Sequence, residues 1–368
     1  MAFYPQLVLD ALKHVRYPGT GEDIVSAGMV DDNIRIDGKK ISFSLLLEKP
    51  NDPFAKSLVK ASEQAIITYI GEGVEIKGNI DVKYRIQVPE QPAKLLPNVK
   101  NIIAVSSGKG GVGKSTISSN LAVALAKLGY KVGLLDADIF GPSVPKMFGL
   151  EDARPCLEPV NGRELICPEE KYGVKMLSIG FFVDPENAVL WRGGMASNAL
   201  KQLISDANWG DLDYFVVDLP PGTSDIHLTM VQTVAITGAI VVSTPQAVAL
   251  ADARKGISMF QGEKVNVPIL GLVENMAWFT PAELPNNKYY LFGKEGCKKL
   301  AESLNIPLLG QIPIVQSICD GGDNGIPVAC DEDSITGRAF YELAKKVVER
   351  VEERNATLPE TKKVEIKH

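Results

Sequence analysis

A glycine-rich loop at residues 107–116 constrains the fold of this chain more than any other segment. It reads Ser-Gly-Lys-Gly-Gly-Val-Gly-Lys-Ser-Thr and matches the template G-x-x-x-x-G-K-[ST]. Closely spaced glycines let successive backbone N–H groups turn inward around a phosphate chain. Lys114 is expected to reach the outer phosphates and Ser115 to hold Mg²⁺. The predicted nucleotide-binding residues are Gly108, Lys109, Gly110, Gly111, Val112, Gly113, Lys114, Ser115 and Thr116.

The segments on either side of the loop support this interpretation. Residues 101–106, Asn-Ile-Ile-Ala-Val-Ser, form an apolar and β-branched run that is typical of a buried strand. After the loop, Ile117, Leu121, Leu125 and Leu128 recur at helical spacing. The loop therefore opens a helix whose positive N-terminal end points toward the bound anion.

The region from residue 100 to about 350 alternates between strand and helix patterns. Strands are predicted near 101–106, 132–136, 174–179, 214–218, 239–244, 269–273 and 308–312. Several of these strands are almost entirely apolar, as burial on both faces of a parallel sheet requires. The predicted fold class is α/β, with a doubly wound parallel-sheet P-loop domain at residues 100–354.

A separate small unit precedes this domain. Residues 1–88 predict an α+β fold, with helices near 7–14 and 55–70 and strand-like runs at 34–36, 41–47 and 74–82. Residues 89–99 carry spaced prolines and predict an extended linker. Residues 355–368 are charged and poor in large apolar side chains, so we expect a frayed, flexible tail.

Composition excludes several classes of function. The net charge of −6 and the pI near 5.4 argue against a nucleic-acid-binding surface. Polar residues and Pro245 interrupt the longest uncharged stretch, 226–251, so we expect no membrane span there. The first residues lack the basic and apolar regions of a signal peptide. Five cysteines without close pairs fit a reducing compartment, so the predicted location is cytoplasmic.

Two predicted strands end in carboxylates. Residues 131–135 lead into Asp136-Ala-Asp138, and an apolar run ending at Val217 leads into Asp218-Leu-Pro-Pro-Gly-Thr-Ser-Asp225. The carboxyl ends of parallel strands form the edge at which open α/β folds bind ligands. We therefore expect these carboxylates to lie near the glycine-rich loop.

The second lysine of the loop, Lys109, resembles the extra lysine of the MinD, ParA and nitrogenase-iron-protein superfamily. The resemblance implies a nucleotide-sandwich homodimer in which Lys109 crosses to the nucleotide of the other subunit, so that Lys109, Lys114 and Asp138 are catalytic. It further implies that Asp138 orients the attacking water. Asp218 is expected to bind Mg²⁺ through water, and the N–H of Gly222 to sense the γ-phosphate.

The chain is similar to one branch of this superfamily, the Mrp/ApbC type of iron–sulfur cluster carrier ATPases. Residues 18–30, Pro-Gly-Thr-Gly-Glu-Asp-Ile-Val-Ser-Ala-Gly-Met-Val, resemble the small iron–sulfur assembly (DUF59-like) domain fused ahead of the ATPase in that branch. Residues 141–145, 191–195 and 274–276 resemble its internal motifs, and Asn275 is expected to recognise adenine, with residues 311–313 beside it. The resemblance implies ATP, Mg²⁺ and an iron–sulfur cluster, [4Fe–4S] in type. It also implies apoprotein clients and iron–sulfur assembly proteins as partners.

Two departures from this branch leave two functions open. The small domain often carries a cysteine just before its second helix, whereas residues 49–53 here contain none. Such carriers place a C-x-x-C pair shortly after the Glu-Asn-Met motif, whereas residues 277–285 here contain no cysteine. Cys319 and Cys330, which flank a glycine-rich segment, are candidate substitute ligands, with Cys297 upstream; Cys156 and Cys167 carry no stronger signal. The first hypothesis is an ATP-dependent carrier that transfers iron–sulfur clusters to apoproteins. The alternative is an ATP-switched dimeric adaptor or positioning protein that binds no cluster.

Overall fold

The computed structural model describes residues 3–31, 33–47, 52–71, 73–84, 95–160, 162–182, 193–263, 265–281, 283–284 and 286–364. The chain divides into two compact units, residues 1–93 and 94–368. Each unit buries its own apolar core.

The first unit is a small α+β fold. Its elements are α1 (Pro5–Leu12), β1 (Arg35–Asp37), β2 (Lys40–Leu47), α2 (Ala55–Ile70) and β3 (Ile80–Tyr84). β2 pairs with β1 antiparallel and with β3 parallel. The strand-like run at 74–82 is shorter than predicted, because a turn at Ile76–Asn79, with Gly78 at φ +76°, delays the strand to residue 80.

The second unit is built on one eight-stranded sheet. The strands of this sheet are β4 (Val99–Ser107), β5 (Val132–Asp136), β8 (Glu169–Lys171), β9 (Val174–Ser178), β10 (Leu212–Asp218), β11 (Gly238–Ser243), β12 (Ile269–Glu274) and β13 (Leu308–Gln311). Two further strands, β6 (Leu157–Val160) and β7 (Arg163–Ile166), lie outside it. Its helices are α3 (Lys114–Lys127), α4 (Val144–Phe148), α5 (Gly193–Ser205), α6 (Asp225–Thr233), α7 (Ala247–Gln261), α8 (Gly296–Leu304), α9 (Gln316–Asp323) and α10 (Ile335–Thr357).

The strand order is β13-β12-β11-β4-β10-β5-β9-β8, and only β8 at the edge runs antiparallel to its neighbour. The predicted doubly wound α/β fold is therefore confirmed. β4 lies between β10 and β11, so its carboxyl end meets those of β10 and β5 at one edge of the sheet. β6 and β7 pair as a separate antiparallel hairpin, which the sequence did not predict.

The uncharged stretch 226–251 is divided as expected. Its residues belong to α6, to the buried strand β11 and to the start of α7. Among the described residues, no helix combines the length and the apolar character that a bilayer crossing requires.

The described part of the C-terminal segment differs from the predicted frayed tail. α10 continues to Thr357, and the Arg354 guanidinium donates to the backbone oxygen of Pro359 and the hydroxyl of Thr361. The backbone N–H of Val364 donates to the oxygen of Val231 on α6 at 3.0 Å. Arg354 is buried and needs acceptors, which explains the packing of this segment. Residues 365–368, and residues 89–94 of the predicted linker, lie outside the described residues.

Candidate functional site

The glycine-rich loop joins β4 to α3 in a conformation that its glycines permit. Gly111 and Gly113 adopt φ values of +79° and +82°, in the left-handed region that side chains rarely enter. A Cβ atom on Gly113 would lie 2.1 Å from Nδ2 of Asn275, so the loop requires glycine there for space as well as for conformation.

A cavity of about 220 Å³ opens over the loop. It is lined by Ser107, Lys109, Gly110, Gly111, Val112, Gly113, Lys114, Ser115, Thr116, Asp138, Gly141, Ser143, Met147 and Pro221. Gly108 belongs to the loop but is not among the lining residues. The cavity combines main-chain donors, one lysine at its base and the N-terminus of α3, which is the donor set that a phosphate chain requires.

A buried polar cluster lies at the base of the cavity. Nζ of Lys114 is 2.8 Å from Oδ2 of Asp218 and 3.2 Å from Oγ of Ser115. The hydroxyl of Ser115 donates to the same carboxylate oxygen at 2.6 Å, and the hydroxyl of Ser118 donates to Oδ1 at 2.6 Å. Asp218 is fully buried, so both its oxygens need these partners. The cluster brings the predicted phosphate lysine and both predicted Mg²⁺ residues together.

Two further carboxylates border this cluster. Asp136 pairs in register with Asp218, and it accepts hydrogen bonds from the hydroxyl of Ser178 and the backbone N–H of Asp138. Burial and the neighbouring Asp218 raise the pKa of Asp136 to about 7. Asp138 lies with Oδ2 at 3.9 Å from Nζ of Lys114. Burial raises the pKa of Asp138 although Lys114 opposes this rise.

The segment after β10 is tied back to β4. The N–H of Gly222 donates to the backbone oxygen of Ser107 at 2.8 Å, so it is engaged within the protein. His227, buried on α6, accepts from the N–H of Ser224 through Nδ1 and lies 3.3 Å from Oγ of Ser106 through Nε2. Burial lowers the pKa of His227 to about 4, so this histidine is neutral at pH 7.

The predicted adenine residue contacts the loop directly. Nδ2 of Asn275 donates to the backbone oxygen of Val112 at 2.9 Å. Gln311 donates through Nε2 to the carboxylate of Glu274, which also accepts from the N–H of Cys297. Asn275 therefore supports the loop in this structure, and its role toward adenine stays a prediction, as does that of Gln311.

The remaining predicted residues are placed as follows. Lys109 lines the cavity, and among the described residues no carboxylate forms an ion pair with it. Cys319 is exposed on α9, and Cys330 is half-buried in a short 3₁₀ turn. Trp191 and Arg192 of the motif at 191–195 lie outside the described residues.

Sequence reasoning missed several polar partners of the site. Ser118 follows Lys114 by four residues and shares its helix face, a spacing that was available in the sequence. Ser178 and His227 come from distant elements, β9 and α6, and no local pattern marks them. They contribute through tertiary packing alone.

Two family models match the chain. The model of the NUBPL iron-transfer P-loop NTPases matches residues 98–348, and that of the iron–sulfur cluster assembly proteins matches residues 5–77. An iron–sulfur cluster carrier protein of Synechocystis is 43% identical over 346 residues, which span 94% of this chain and 97% of that protein. A mitochondrial Arabidopsis iron–sulfur protein required for NADH dehydrogenase is 48% identical over 260 residues, 70% of this chain and 81% of that protein.

Two solved structures resemble the second unit in fold. The nucleotide-binding protein of Archaeoglobus fulgidus, in complex with ADP, is 38% identical, with a TM-score of 0.54 over 62% of this chain and 88% of that protein. The septum site-determining protein MinD of Pyrococcus horikoshii, complexed with Mg-ADP, is 25% identical, with a TM-score of 0.52 over 69% of this chain and 98% of that protein. The NTPase family model, at residues 98–348, covers the loop and the carboxylates described above.

The substitution Gly113→Ala tests the loop geometry. The added methyl group meets Asn275 at 2.1 Å and the backbone has φ +82°, so we expect the loop to lose its shape and Mg-ATP affinity to fall by at least about tenfold. Fluorescence titration with a labelled ATP analogue measures this. Gly256→Ala on α7, where a Cβ meets no atom within 4 Å, is the matched control and should leave affinity unchanged. Equal affinity of both variants would contradict the described geometry.

The raised pKa of Asp136 predicts that the free energy of unfolding depends on pH. Its pKa is about 7 in the folded protein, against an ordinary value of about 3.9, so the folded state binds more protons between these values. The contribution of Asp136 to the free energy of unfolding therefore falls as pH rises through 7.

The substitution Asp136→Asn removes this titration. The free energy of unfolding of the variant, relative to that of wild type, should increase as the pH rises from 5 to 8. Urea unfolding without nucleotide measures this difference. Asp211→Asn, at an exposed position of the same unit, is the control. If wild type and Asp136→Asn share one pH profile, Asp136 does not hold its proton as described.

Proposed function

The chain belongs to the NUBPL family of iron-transfer P-loop NTPases, the iron–sulfur cluster carrier proteins, and we propose that it couples Mg-dependent ATP hydrolysis to the transfer of iron–sulfur clusters to apoproteins. The observation that carries the ATPase part is the buried cluster of Lys114, Ser115 and Asp218 at the base of the loop cavity. The match of residues 5–77 to the iron–sulfur assembly family supports the carrier part.

ATP fits the cavity by the chemistry of its donors. Backbone N–H groups of residues 108–116 surround the β- and γ-phosphates, and Lys114 exchanges its contact with Asp218 for one with the phosphates. Asn275 stays close to the loop through Val112, where it can meet an adenine edge as both donor and acceptor. ATP is the substrate, and the products of its hydrolysis are ADP and phosphate.

Mg²⁺ fits the oxygens of the cluster. The Ser115 hydroxyl and the Asp218 carboxylate lie 2.6 Å apart, and Mg²⁺ prefers such hard oxygen ligands while keeping several waters. Ser115 would bind the metal directly, and Asp218 would hold it through water. When bound, the metal neutralises charge on the phosphates.

Asp138 borders the same cavity and is assigned to the attacking water. Its carboxylate lies 3.9 Å from the ammonium of Lys114, next to the place of the γ-phosphate. A carboxylate there accepts a hydrogen bond from water and orients its oxygen toward phosphorus. The water oxygen bonds to the γ-phosphorus while the bond from this phosphorus to the β–γ bridging oxygen breaks, so that ADP leaves and the water protons pass to the phosphate product and to solvent.

Lys109 supports a dimeric mechanism. It lies at the cavity and, among the described residues, no carboxylate holds its ammonium group in an ion pair. An ammonium group available at the mouth of the cavity suits a second copy of the chain, whose phosphates it would neutralise. We propose that two chains form a sandwich around two nucleotides.

The segment after Asp218 links hydrolysis to movement. The N–H of Gly222 reaches a γ-phosphate only if its bond to Ser107 opens. ATP and ADP therefore favour different positions of residues 218–225, and α6 moves with this segment because it begins at Asp225. We propose that this difference drives loading or release of the cluster, in the cytoplasm.

A second function is favoured by one specific observation. Residues 277–285, where such carriers place a C-x-x-C pair, contain no cysteine. An ATP-switched adaptor that binds no cluster would need no thiolates at all. Under either function, we propose that the small domain ends at residue 88 and the ATPase domain at residue 354. The type of cluster and the client proteins are proposals as well.

The substitution Lys114→Ala tests nucleotide binding. It removes the charge-assisted hydrogen bonds to the phosphates, so affinity for Mg-ATP should fall about 100-fold. Equilibrium dialysis with Mg-ATP measures the affinity, and Lys127→Ala, exposed at the end of the same helix, is the control. Unchanged affinity of Lys114→Ala would refute the assignment of the site.

The substitution Lys109→Ala tests catalysis across the dimer. The variant should bind Mg-ATP with normal affinity but release phosphate at least about tenfold more slowly, because transition-state charge is less well neutralised. A mixture of Lys109→Ala and Lys114→Ala chains should regain phosphate release, since a hybrid dimer pairs one intact loop with an intact Lys109. A mixture as inactive as its parts would show that Lys109 does not act on the other subunit.

A further inference from the structure

The imidazole ring of His227 joins the first turn of α6 to the strand that leads into the loop. The ring accepts a hydrogen bond from the backbone N–H of Ser224 through Nδ1 at 3.2 Å. Its Nε2 lies 3.3 Å from the hydroxyl of Ser106, the next-to-last residue of β4. These partners assign the single ring proton to Nε2, so Nε2 donates to Ser106. One side chain therefore caps a helix and binds a neighbouring strand.

The surroundings of the ring keep this contact in place. His227 and Ser106 are each 1% exposed, so the bond between them lies in the interior of the unit. The ring packs against Phe260 of α7, with the two ring centroids 6.1 Å apart. Burial, together with the nearby ammonium group of Lys114, lowers the pKa of His227 to about 4. The ring is therefore neutral at pH 7 and has one proton to donate.

β4 holds the segment after β10 at two consecutive residues. The N–H of Gly222 donates to the backbone oxygen of Ser107 at 2.8 Å, and His227 donates to the hydroxyl of Ser106. Residues 221–225 are exposed or half-buried, so water can replace contacts that they lose. Breaking the bond of His227 instead leaves a buried donor unpaired, which costs more free energy. This bond therefore opposes displacement of α6 more strongly than an exposed contact would.

Two other polar contacts of α6 lead to elements that do not carry the loop. The hydroxyl of Thr229 lies 2.8 Å from that of Ser197 on α5, and the oxygen of Val231 accepts from the N–H of Val364. Neither contact fixes α6 relative to the loop. β4 does carry the loop, and it is held on both sides by β10 and β11. A displacement of α6 relative to the loop therefore acts on the bond between the imidazole and β4.

We propose that the hydrogen bond from His227 to Ser106 sets the affinity of the site for ATP relative to ADP. This inference rests on the proposed function, in which a γ-phosphate draws the N–H of Gly222 away from Ser107. ADP has no γ-phosphate, so it binds while α6 keeps the position described above. ATP displaces the segment and α6, so part of its binding free energy is spent on breaking the bond of His227. Affinity for ATP is lowered in this way, and affinity for ADP is not.

His227 acts as a positioning residue. It lies outside the residues that line the cavity, and it acts on the nucleotide through α6 and the segment before it. Once the γ-phosphate has left as inorganic phosphate, the bond to Ser106 forms again. Its free energy then favours the return of α6 to its first position, which prepares the site for the next nucleotide.

The position of His227 in its helix supplies a conservative variant. Ser224 and His227 are the first and last residues of a capping box, S-x-x-E/Q, in which the last residue is usually glutamate or glutamine. A glutamine amide offers one acceptor, for the N–H of Ser224, and a donor for the hydroxyl of Ser106. The substitution His227→Gln therefore keeps both hydrogen bonds.

The test measures the affinities of the full-length protein for ADP and for a non-hydrolysable ATP analogue, by isothermal titration calorimetry in magnesium buffer. Ser106→Ala removes the acceptor and should bind the ATP analogue about fivefold more tightly, the factor that one neutral hydrogen bond contributes. Its affinity for ADP should equal that of wild type, as should both affinities of His227→Gln. The control Thr237→Val removes a buried acceptor of the Ile102 N–H at the other end of β4 and should leave the ratio of the two affinities unchanged.

A gain in affinity for one nucleotide separates this role from a contribution to stability alone, which would lower both affinities or neither. His227→Leu removes the donor from the other side of the bond and should raise the ratio of ATP to ADP affinity as Ser106→Ala does. If both variants keep the wild-type ratio, the inference is wrong and the proposed function stands. If wild type binds neither nucleotide, the proposed function fails as well. A ratio in His227→Gln as high as in Ser106→Ala would also overturn the inference, because the amide keeps both hydrogen bonds.

Discussion

The contact between Lys114 and Asp218 is the interaction on which the rest of the structure depends. Both side chains are buried, and either charge left alone there would cost several kcal/mol. The hydroxyl groups of Ser115 and Ser118 donate further hydrogen bonds to the carboxylate of Asp218. Under the proposed function, Lys114 and Ser115 exchange these internal contacts for contacts with a magnesium–triphosphate group. The parallel sheet positions this cluster, because the carboxyl ends of β4, β5 and β10 lie side by side there.

The loop above the cluster is shaped by its glycines and by the polar residue behind it. Gly113 leaves room for Asn275, whose amide ties the loop to the end of β12. On the other side, Gly222 ties the segment after β10 to Ser107. The loop is thus held from two strands by single hydrogen bonds. A nucleotide that competes for these donors can move both segments, and this is the physical basis of the coupling that we propose between hydrolysis and cargo transfer.

The sequence predicted which residues meet at the loop because its signals are local. The loop, Asp136, Asp138 and Asp218 follow apolar strands directly, and parallel topology brings strand ends together without further information. The hairpin of β6 and β7 was missed because its strands are short and mostly polar, without a strong period. The tail was expected to fray because a charged composition does not reveal the acceptors that Arg354 finds in it.

Binding of ATP to the purified full-length protein tests the central claim most directly. Isothermal titration calorimetry with a non-hydrolysable ATP analogue, with Mg²⁺ or with excess EDTA, measures stoichiometry and affinity together. We predict saturable uptake of one nucleotide per chain, tighter in the presence of Mg²⁺ because Ser115 and Asp218 then hold the metal. Absence of saturable uptake in magnesium buffer would contradict it, whatever iron the protein carries.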